Sequence, residues 1–390
     1  MDFSLTADQQ RYREAVREVC ARFPEAYWRD LDAGKRYPEE FVDELTRGGW
    51  LSVLIPTEYG GAGLGMVEAC IVLEEINASS GNAAACHAQM YTMGALLRHG
   101  SEAQKERYLP QLAAGRLRLQ SMAVTEPEAG SDTTRITTFA RREGDGYVVS
   151  GQKVFTSRLQ HSDLLLLLAR TTRLEDVTRK SDGLSLFLVD LRTAGPSIEI
   201  RPIETMVNHE TNALFINDLR VPADALVGDE GSGFRQVLDG LNAERILIAS
   251  ESIGDARWFI SKSVSYANQR VVFGRPIGAN QGVQFPIARA SMHTDAASLV
   301  RWQAATLFDS GEPCGAQANS AKLLASEAAW EAAEVAMTTH GGSGMAVETG
   351  IERKFREARL YLVAPITNNL VTAYIAEHVL GLPRSYGGTT

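Results

Sequence analysis

The sequence is poor in cysteine, and its few cysteines form no recognisable pattern. Four occur in 390 residues, far apart and without a Cys-x-x-Cys pair, beside only seven histidines: Cys20, Cys70, Cys86 and Cys314. Zinc sites and disulfide frameworks need cysteines at characteristic spacings. We therefore predict no bound metal, a reducing compartment and four buried thiols.

Long hydrophobic runs are also missing. The longest aliphatic run, Leu164 to Leu168, is far shorter than the ~20 apolar residues that a membrane-spanning helix requires. The first residues show an amphipathic pattern rather than that of a signal peptide. We therefore expect a soluble, cytoplasmic protein without a membrane partner.

The chain has no excess of basic residues, since 39 Lys and Arg stand against 48 Asp and Glu for a net charge of −9. A nucleic-acid-binding protein needs a basic face, so we exclude nucleic acid as a general partner. Any polyanionic ligand must be held by a few local arginines or by backbone N–H groups. The composition, 44% hydrophobic and 22% charged, is that of a globular protein large enough for about two or three domains.

The pattern of elements changes twice along the chain. The first third is typical of helices and begins with a capping box at Thr6 and Gln9. From about Met122, β-branched and aliphatic runs alternate with turn signals, and from about Gly233 long Ala-, Leu- and Glu-rich segments indicate helices again. We predict an α+β protein with three domains: an N-terminal helical domain (1–121), a middle β-barrel-like domain (122–228) and a C-terminal helical bundle (229–390).

Within the middle domain the turn signal Gly144-Asp145-Gly146 predicts a hairpin. Four further segments are rich enough in aliphatic and β-branched residues to predict short strands: Leu164 to Ala169, Leu184 to Leu191, Ile198 to Ile203 and Ala213 to Ile216. The second of these alternates poorly between apolar and polar residues, so we expect it to be buried on both faces.

Several motifs occur together in one order along the chain. The segment Val124 to Asp132, reading VTEPEAGSD, predicts a loop that offers a hydroxyl and backbone N–H groups to a flat polar ring or a phosphate. By itself this is only a turn, but it resembles the signature of the acyl-CoA dehydrogenase family. Five other blocks resemble that family in the family's own order: Ile55 to Gly65, Gly151 to Ser157, Tyr266 to Gln281, His340 to Gly344 and Arg356 to Tyr361.

The resemblance spans essentially the whole chain and implies an FAD-containing enzyme of fatty acid metabolism. It implies that Thr125 hydrogen-bonds the pyrimidine edge of the flavin and that the hydroxyl of Ser157 reaches the region of N5. Phe155 stands where the family usually has tryptophan, which keeps an aromatic face but removes the indole N–H. Arg158 stands where the family usually has asparagine. The other residues implied to contact FAD are Met122, Val124, Arg270, Phe273, Gln281, Gly341, Gly342 and Thr367.

The family usually forms a homotetramer built as a dimer of dimers, and some cofactor contacts are implied to cross between subunits. Arg270 and Gln281 then bind the pyrophosphate and adenine end of the FAD of the partner subunit, where a bidentate arginine suits a pyrophosphate. Gly341 and Gly342 let the backbone approach that same cofactor. An electron-transfer flavoprotein is the implied electron acceptor.

The implied reaction is α,β-dehydrogenation of an acyl-CoA thioester to the 2-enoyl-CoA. A carboxylate removes the α-proton while the β-hydrogen leaves as hydride to flavin N5. Most of the family carries this glutamate in a YEGT loop, but here Pro365 occupies the position in Ala364-Pro365-Ile366-Thr367. The segment Leu241 to Arg245 resembles the helix that carries the base in isovaleryl-CoA and long-chain acyl-CoA dehydrogenases. Glu244 is therefore predicted to be the base, with Arg245 near the thioester and CoA end or orienting neighbouring backbone.

Pro365 has a second consequence, because proline has no N–H. In the family, an N–H at this loop position and a ribityl hydroxyl of FAD bind the thioester oxygen. Either the loop register shifts so that another N–H serves, or one donor is lost at a cost of ~3 kcal/mol of transition-state stabilisation.

The acyl pocket is implied to be lined by the helix from Ala84 to Leu97, with His87 and Met90 as substrate-binding candidates, although ordinary core packing explains them equally well. Ser131 is implied to line the substrate entrance. A helix-borne base leaves room near the α-carbon for branched or bulky chains.

The alternative functions to acyl-CoA dehydrogenation are an O₂-using acyl-CoA oxidase or flavin monooxygenase on the same fold, or a catalytically silent flavin-binding relative. The thioester carrier is CoA or a carrier protein.

Overall fold

The computed structural model describes residues 4–385. Its α-helices, in chain order, are α1 (Ala7–Ala21), α2 (Glu25–Ala33), α3 (Glu39–Arg47), α4 (Met66–Ala78), α5 (Ala84–His99), α6 (Glu102–Ala113), the single turn α7 (Leu191–Ala194), α8 (Gly233–Gln269), α9 (Gln281–Asp309), α10 (Gly315–His340), α11 (Ile351–Leu360) and α12 (Asn368–Tyr374). Its strands are β1 (Ser121–Ala123), β2 (Phe139–Glu143), β3 (Gly146–Ser157), β4 (Leu164–Arg170), β5 (Leu184–Asp190), β6 (Ile198–Pro202), β7 (Thr211–Pro222), β8 (Leu226–Val227), β9 (Val271–Val272) and β10 (Arg275–Pro276).

Residue contacts group these elements into two compact units. The helical unit comprises residues 4–34, 65–83 and 242–385, and the sheet unit comprises residues 35–64 and 84–241. The helical segments that come first in the chain are therefore shared between the units. The domain boundaries after residues 121 and 228 stay a prediction, whereas the predicted order of helices, sheet and helices along the chain is confirmed.

The sheet unit is built around one sheet with the strand order β6-β7-β3-β2-β4-β5-β8, in which β1 pairs with β4 in parallel. Strand β5 is buried on both faces, as predicted from its poor alternation. Strands β3 and β7 pair antiparallel, with register shifts between Val149 and Gly151 and between Lys153 and Thr156. The second shift lies in the stretch that carries two of the predicted flavin residues, Phe155 and Ser157.

The helical unit is held by buried ion pairs as well as by apolar packing. The fully buried guanidinium of Arg301 on α9 lies 2.6 Å from the carboxylate of Glu74 on α4. Asp309 accepts hydrogen bonds of 2.6 and 3.1 Å from the first two backbone N–H groups of α4, so its carboxylate satisfies donors that a helix start leaves unpaired. On α11, Lys354 pairs with the buried carboxylate of Asp255 on α8.

Several local predictions are confirmed. The capping box at Thr6 is formed, and the hairpin turn at residues 144–145 joins β2 to β3. The structure contains a second capping box, at Ser101. All four cysteines are buried free thiols. Strand β7 is longer than predicted because its pairing with β3 continues beyond Ile216 to Pro222.

Within residues 4–385 there is no helix long and apolar enough to cross a membrane, and no group of three or more His, Cys, Asp or Glu side chains that could hold a metal ion.

Candidate active site

The loop after β1 is fixed in the sheet unit by a buried ion pair. Glu126 accepts hydrogen bonds from the backbone N–H groups of Thr137 (2.7 Å) and Thr138 (2.9 Å). Lys153 on β3 donates to the carboxylate of Glu126 (3.0 Å) and to the backbone oxygen of Val124 (2.9 Å). The N–H of the next residue along β3 donates to the backbone oxygen of Thr125 (2.9 Å). The backbone of Thr125 is thereby held against β3, close to Phe155 and Ser157.

Burial and charge act in opposite directions on this pair. Burial raises the pKa of Glu126, but the ammonium of Lys153 and the hydrogen bonds from Thr137 and Thr138 outweigh it, so the pKa lies below its usual range. Burial lowers the pKa of Lys153 to about 8, and Glu126 opposes that shift. Sequence reasoning missed the partner of Lys153, because Glu126 lies 27 residues away in the chain.

Phe155 is turned outward by the irregularity in β3. It lies between the paired residues Lys153 and Thr156, at a register shift, and its φ of 55° is in the left-handed region. That conformation is unfavourable for a bulky side chain. Phe155 nevertheless exposes 65% of its surface. A strained backbone that presents an aromatic ring to the outside fits a site where a flat ring system stacks.

The hydroxyl of Ser157 belongs to a polar cluster at the end of β3. Its Oγ accepts a 2.7 Å hydrogen bond from Nδ2 of Asn208 and lies 3.1 Å from Oγ1 of Thr211. Arg158 donates from Nη1 to Oδ1 of Asn208 at 2.8 Å. Sequence reasoning missed Asn208 and Thr211, which lie more than fifty residues further along the chain.

The other residues of the sheet unit that are predicted to contact FAD or substrate lie in or against the core, except for one at the surface. Met122 and Val124 are half-buried and pack against the apolar core of the unit. Met90 is fully buried, and the buried ring of His87 packs edge-on against Tyr91 at 5.2 Å between centroids. Ser131 is exposed.

In the helical unit, Glu244 and Arg245 are both buried on α8, with 7% and 9% of their surfaces exposed. Arg245 donates from Nη1 to Oδ1 of Asn242 at 3.1 Å. Burial lowers the pKa of Arg245, and the neighbouring charge of Glu244 opposes that shift. A buried carboxylate beside a buried guanidinium is the environment expected of a group with a chemical role.

The loop that carries Pro365 is attached to α10 of the same unit. Lys322 donates to the backbone oxygen of Ile366 (2.7 Å) and to Oδ1 of Asn368 (2.6 Å). Burial lowers the pKa of Lys322 to about 8, and the guanidinium of Arg245 adds to that shift, so the loop, Lys322 and Arg245 form one electrostatic neighbourhood. The hydroxyl of Thr367 caps α12.

The backbone N–H groups of this loop are unequally used. Those of Ala364 and Asn368 donate to the backbone oxygens of Leu360 (2.9 Å) and Leu362 (3.2 Å). Within the part of the chain that the structure describes, no hydrogen bond uses the N–H of Ile366 or Thr367. Two donors therefore follow directly after the proline that lacks one.

The residues predicted to contact the distal part of FAD are all exposed in the helical unit. Arg270 follows the last residue of α8, Phe273 is the fully exposed tip of the β9–β10 hairpin, and Gln281 begins α9. Gly341 has a φ of 58° with a ψ of −133°, a combination that essentially only glycine adopts. A Cβ added at Gly341 or Gly342 would meet nothing within 4 Å, so the space above this turn is open to a ligand.

Comparison with known proteins shows that this fold is that of an oxidoreductase of the acyl-CoA dehydrogenase type. The chain matches the family models for the acyl-CoA dehydrogenase N-terminal domain (residues 6–116), middle domain (121–219) and C-terminal domain (231–380). It is 36% identical over 389 residues to acyl-CoA dehydrogenase FadE12 of Mycobacterium tuberculosis (strain ATCC 25618 / H37Rv), covering 98% of this chain and 99% of that protein. The chain therefore belongs to the acyl-CoA dehydrogenase family.

Two solved structures illustrate the likeness. The glutaryl-CoA complex of glutaryl-coenzyme A dehydrogenase superposes with a TM-score of 0.91 at 30% identity, covering 100% of this chain and 99% of that one. The FAD complex of PigA superposes with a TM-score of 0.91 at 25% identity, covering 98% and 100%. FAD is the general cofactor of this family. Within the sheet unit, the exposed ring of Phe155 and the nearby hydroxyl of Ser157 fit a flavin ring.

Proposed function

We propose that this protein catalyses the FAD-dependent α,β-dehydrogenation of an acyl-CoA thioester, with Glu244 as the base. The observation that carries the proposal is the buried carboxylate of Glu244 on α8, in a unit whose loop has Pro365 where the usual glutamate stands. This arrangement resembles the subgroup of isovaleryl-CoA and long-chain acyl-CoA dehydrogenases. Bound FAD supplies the acceptor for the β-hydride at N5.

In this reaction the helical unit supplies the base, the hydrogen-bond donors for the thioester oxygen and a lysine that holds the donor loop. Glu244 takes the α-proton from its buried position beside Arg245 on α8. The N–H groups of Ile366 and Thr367 supply the donor that Pro365 lacks, so the thioester oxygen keeps its hydrogen bond while enolate-like charge develops. Lys322 holds that loop through the backbone oxygen of Ile366.

Anaerobic titration of the purified protein with a panel of acyl-CoAs tests this function. We expect the flavin absorbance to bleach with at least one acyl-CoA, and branched acyl chains to reduce it faster than straight chains, because a helix-borne base leaves room beside the α-carbon. Activity confined to straight chains would contradict the preference for branched substrates. A panel in which no acyl-CoA bleaches the flavin would contradict the reaction itself.

We also propose that the protein works as a homotetramer, with an electron-transfer flavoprotein as acceptor. The helical unit exposes apolar side chains that support an interface between subunits, among them Phe273, Phe285 and Met292. In such an assembly, Arg270 and Gln281 contact the pyrophosphate and adenine end of the FAD of the partner subunit.

Replacing Arg270 by glutamine is expected to weaken FAD binding about tenfold to a hundredfold, because a charge-assisted hydrogen bond contributes about 1.5–3 kcal/mol. Fluorescence titration of the apoprotein with FAD measures this affinity. Arg275→Gln is the matched control, since Arg275 lies five residues further on, in β10, but donates to Oδ1 of Asn280 at 2.6 Å. Equal FAD affinity in the two variants would remove Arg270 from the cofactor site.

A further inference from the structure

We propose that Asn208 is a positioning residue that directs the hydroxyl proton of Ser157 toward flavin N5. The inference rests on the proposed function, in which Ser157 lies at N5, and it adds a residue that the sequence motifs did not single out. It is carried by the hydrogen bonds among Ser157, Arg158, Asn208 and Thr211, all in the sheet unit.

The orientation of the Asn208 amide is set by Arg158. The guanidinium has only donors, and its Nη1 lies 2.8 Å from Oδ1 of Asn208. The amide oxygen therefore faces Arg158, and the NH₂ group faces the two hydroxyls, donating to Ser157 Oγ (2.7 Å) and Thr211 Oγ1 (3.0 Å). Because Arg158 is itself buried, this orientation is shielded from competition by water.

The remaining protons of the cluster can then be assigned. Thr211 donates its hydroxyl proton to the backbone oxygen of Asn208 at 2.7 Å. Asn208 occupies one lone pair of Ser157 with an N–H, so Ser157 cannot donate to Asn208. With the Thr211 proton on the backbone oxygen of Asn208, the 3.1 Å hydrogen bond between Ser157 and Oγ1 of Thr211 is donated by Ser157. A flavin nitrogen that accepts a hydrogen bond is the alternative acceptor for this proton, outside the cluster. Accepting a bond from Asn208 also strengthens Ser157 as a donor.

The backbone at Asn208 allows a clean test. Its φ of 55° lies in the left-handed region, which Asn, Asp and Gly tolerate best. Asn208→Asp is nearly isosteric but replaces the donor with an acceptor, so the carboxylate takes the Ser157 proton. Asn208→Gly removes the side chain without drawing that proton away.

The test uses the holoenzyme carrying FAD labelled with ¹⁵N at N5. We expect the N5 resonance of Asn208→Asp to move toward that of flavin in a solvent that donates no hydrogen bond, as far as in Ser157→Ala. Asn208→Gly should move it less, and the double variant Ser157→Ala/Asn208→Asp no further than Ser157→Ala alone. The rate of flavin reduction by substrate should fall about tenfold in Asn208→Asp, the loss of roughly one hydrogen bond.

Gln160→Glu is the charge control. It makes the same amide-to-acid change on an exposed residue that bonds with Asn212 rather than Ser157, and should leave the N5 resonance in place. An unchanged resonance in Ser157→Ala would show that Ser157 is not at N5 and would overturn its proposed contact. A shift in Ser157→Ala but in neither Asn208 variant would overturn the role of Asn208 alone. If Asn208→Asp does not fold, Asn208→Gly decides the same question.

Discussion

Replacing Glu244 by glutamine is expected to lower the rate of flavin reduction by acyl-CoA by about 10²- to 10⁴-fold. Glutamine keeps the shape of the side chain but cannot accept the α-proton. Stopped-flow absorbance under anaerobic conditions measures the rate, and substrate binding followed by perturbation of the flavin spectrum should persist. A loss of that size with binding retained identifies a base rather than a binding residue.

Glu251→Gln is the matched control for this experiment. Glu251 lies on the same helix and is also buried, at 3% exposed, but has no place in the proposed chemistry. We expect it to reduce at close to the unaltered rate. Full flavin reduction in Glu244→Gln would refute the assignment of the base and return attention to the other carboxylates of the helical unit.

The second large effect is expected at Lys153. Replacing it by methionine leaves the carboxylate of Glu126 buried without its counter-charge, which costs about 3–5 kcal/mol of folding free energy. The same change releases the loop that holds Thr125, so we expect lower FAD retention as well. Chemical denaturation and the flavin content of the purified protein measure the two consequences.

The double variant Lys153→Met/Glu126→Gln separates charge from shape. It leaves no buried charge and should recover most of the lost stability; a double variant as unstable as the single one would contradict the electrostatic explanation.

The dependence of folding stability on pH provides a second check of this ion pair. Folding lowers the pKa of Glu126. The stability that this carboxylate contributes is therefore complete above the pKa that Glu126 has in the unfolded chain, and it is lost as the pH falls through the lower pKa of the folded state.

Local interactions are the part of the fold that the sequence predicted best. A capping box such as Thr6 with Gln9 involves residues three apart, so its signal is complete in a short window. Strand β7 was predicted too short because its length depends on pairing with β3, more than fifty residues earlier. The grouping of Gly65–Ala83 with residues 242–385 also depends on contacts between distant segments, which no local pattern contains.

The residues of the candidate site also divide into those that local motifs predict and those that only contacts between distant segments reveal. Resemblance predicts roles for residues that occur in motifs, including Thr125, Ser157 and Glu244. It did not identify Asn208, whose amide contacts Ser157 across 51 residues of sequence. The only signal available was that Arg158 replaced the usual asparagine, and the structure shows that Asn208 accepts a hydrogen bond from that arginine.

Helix α8 has a genetic consequence. It continues unbroken from Glu244 to Gln269, about 38 Å at a rise of ~1.5 Å per residue, and Arg270 follows directly. In the proposed assembly the two ends of this helix serve two different cofactors, because Glu244 acts in the reaction of its own subunit and Arg270 contacts the FAD of the partner subunit. A chain defective at Glu244 and a chain defective at Arg270 can then complement each other. A dimer of one chain of each kind has both defects in one of its two sites and none in the other. A dimer of two chains that are both defective at Glu244, or both defective at Arg270, has a defect in each site.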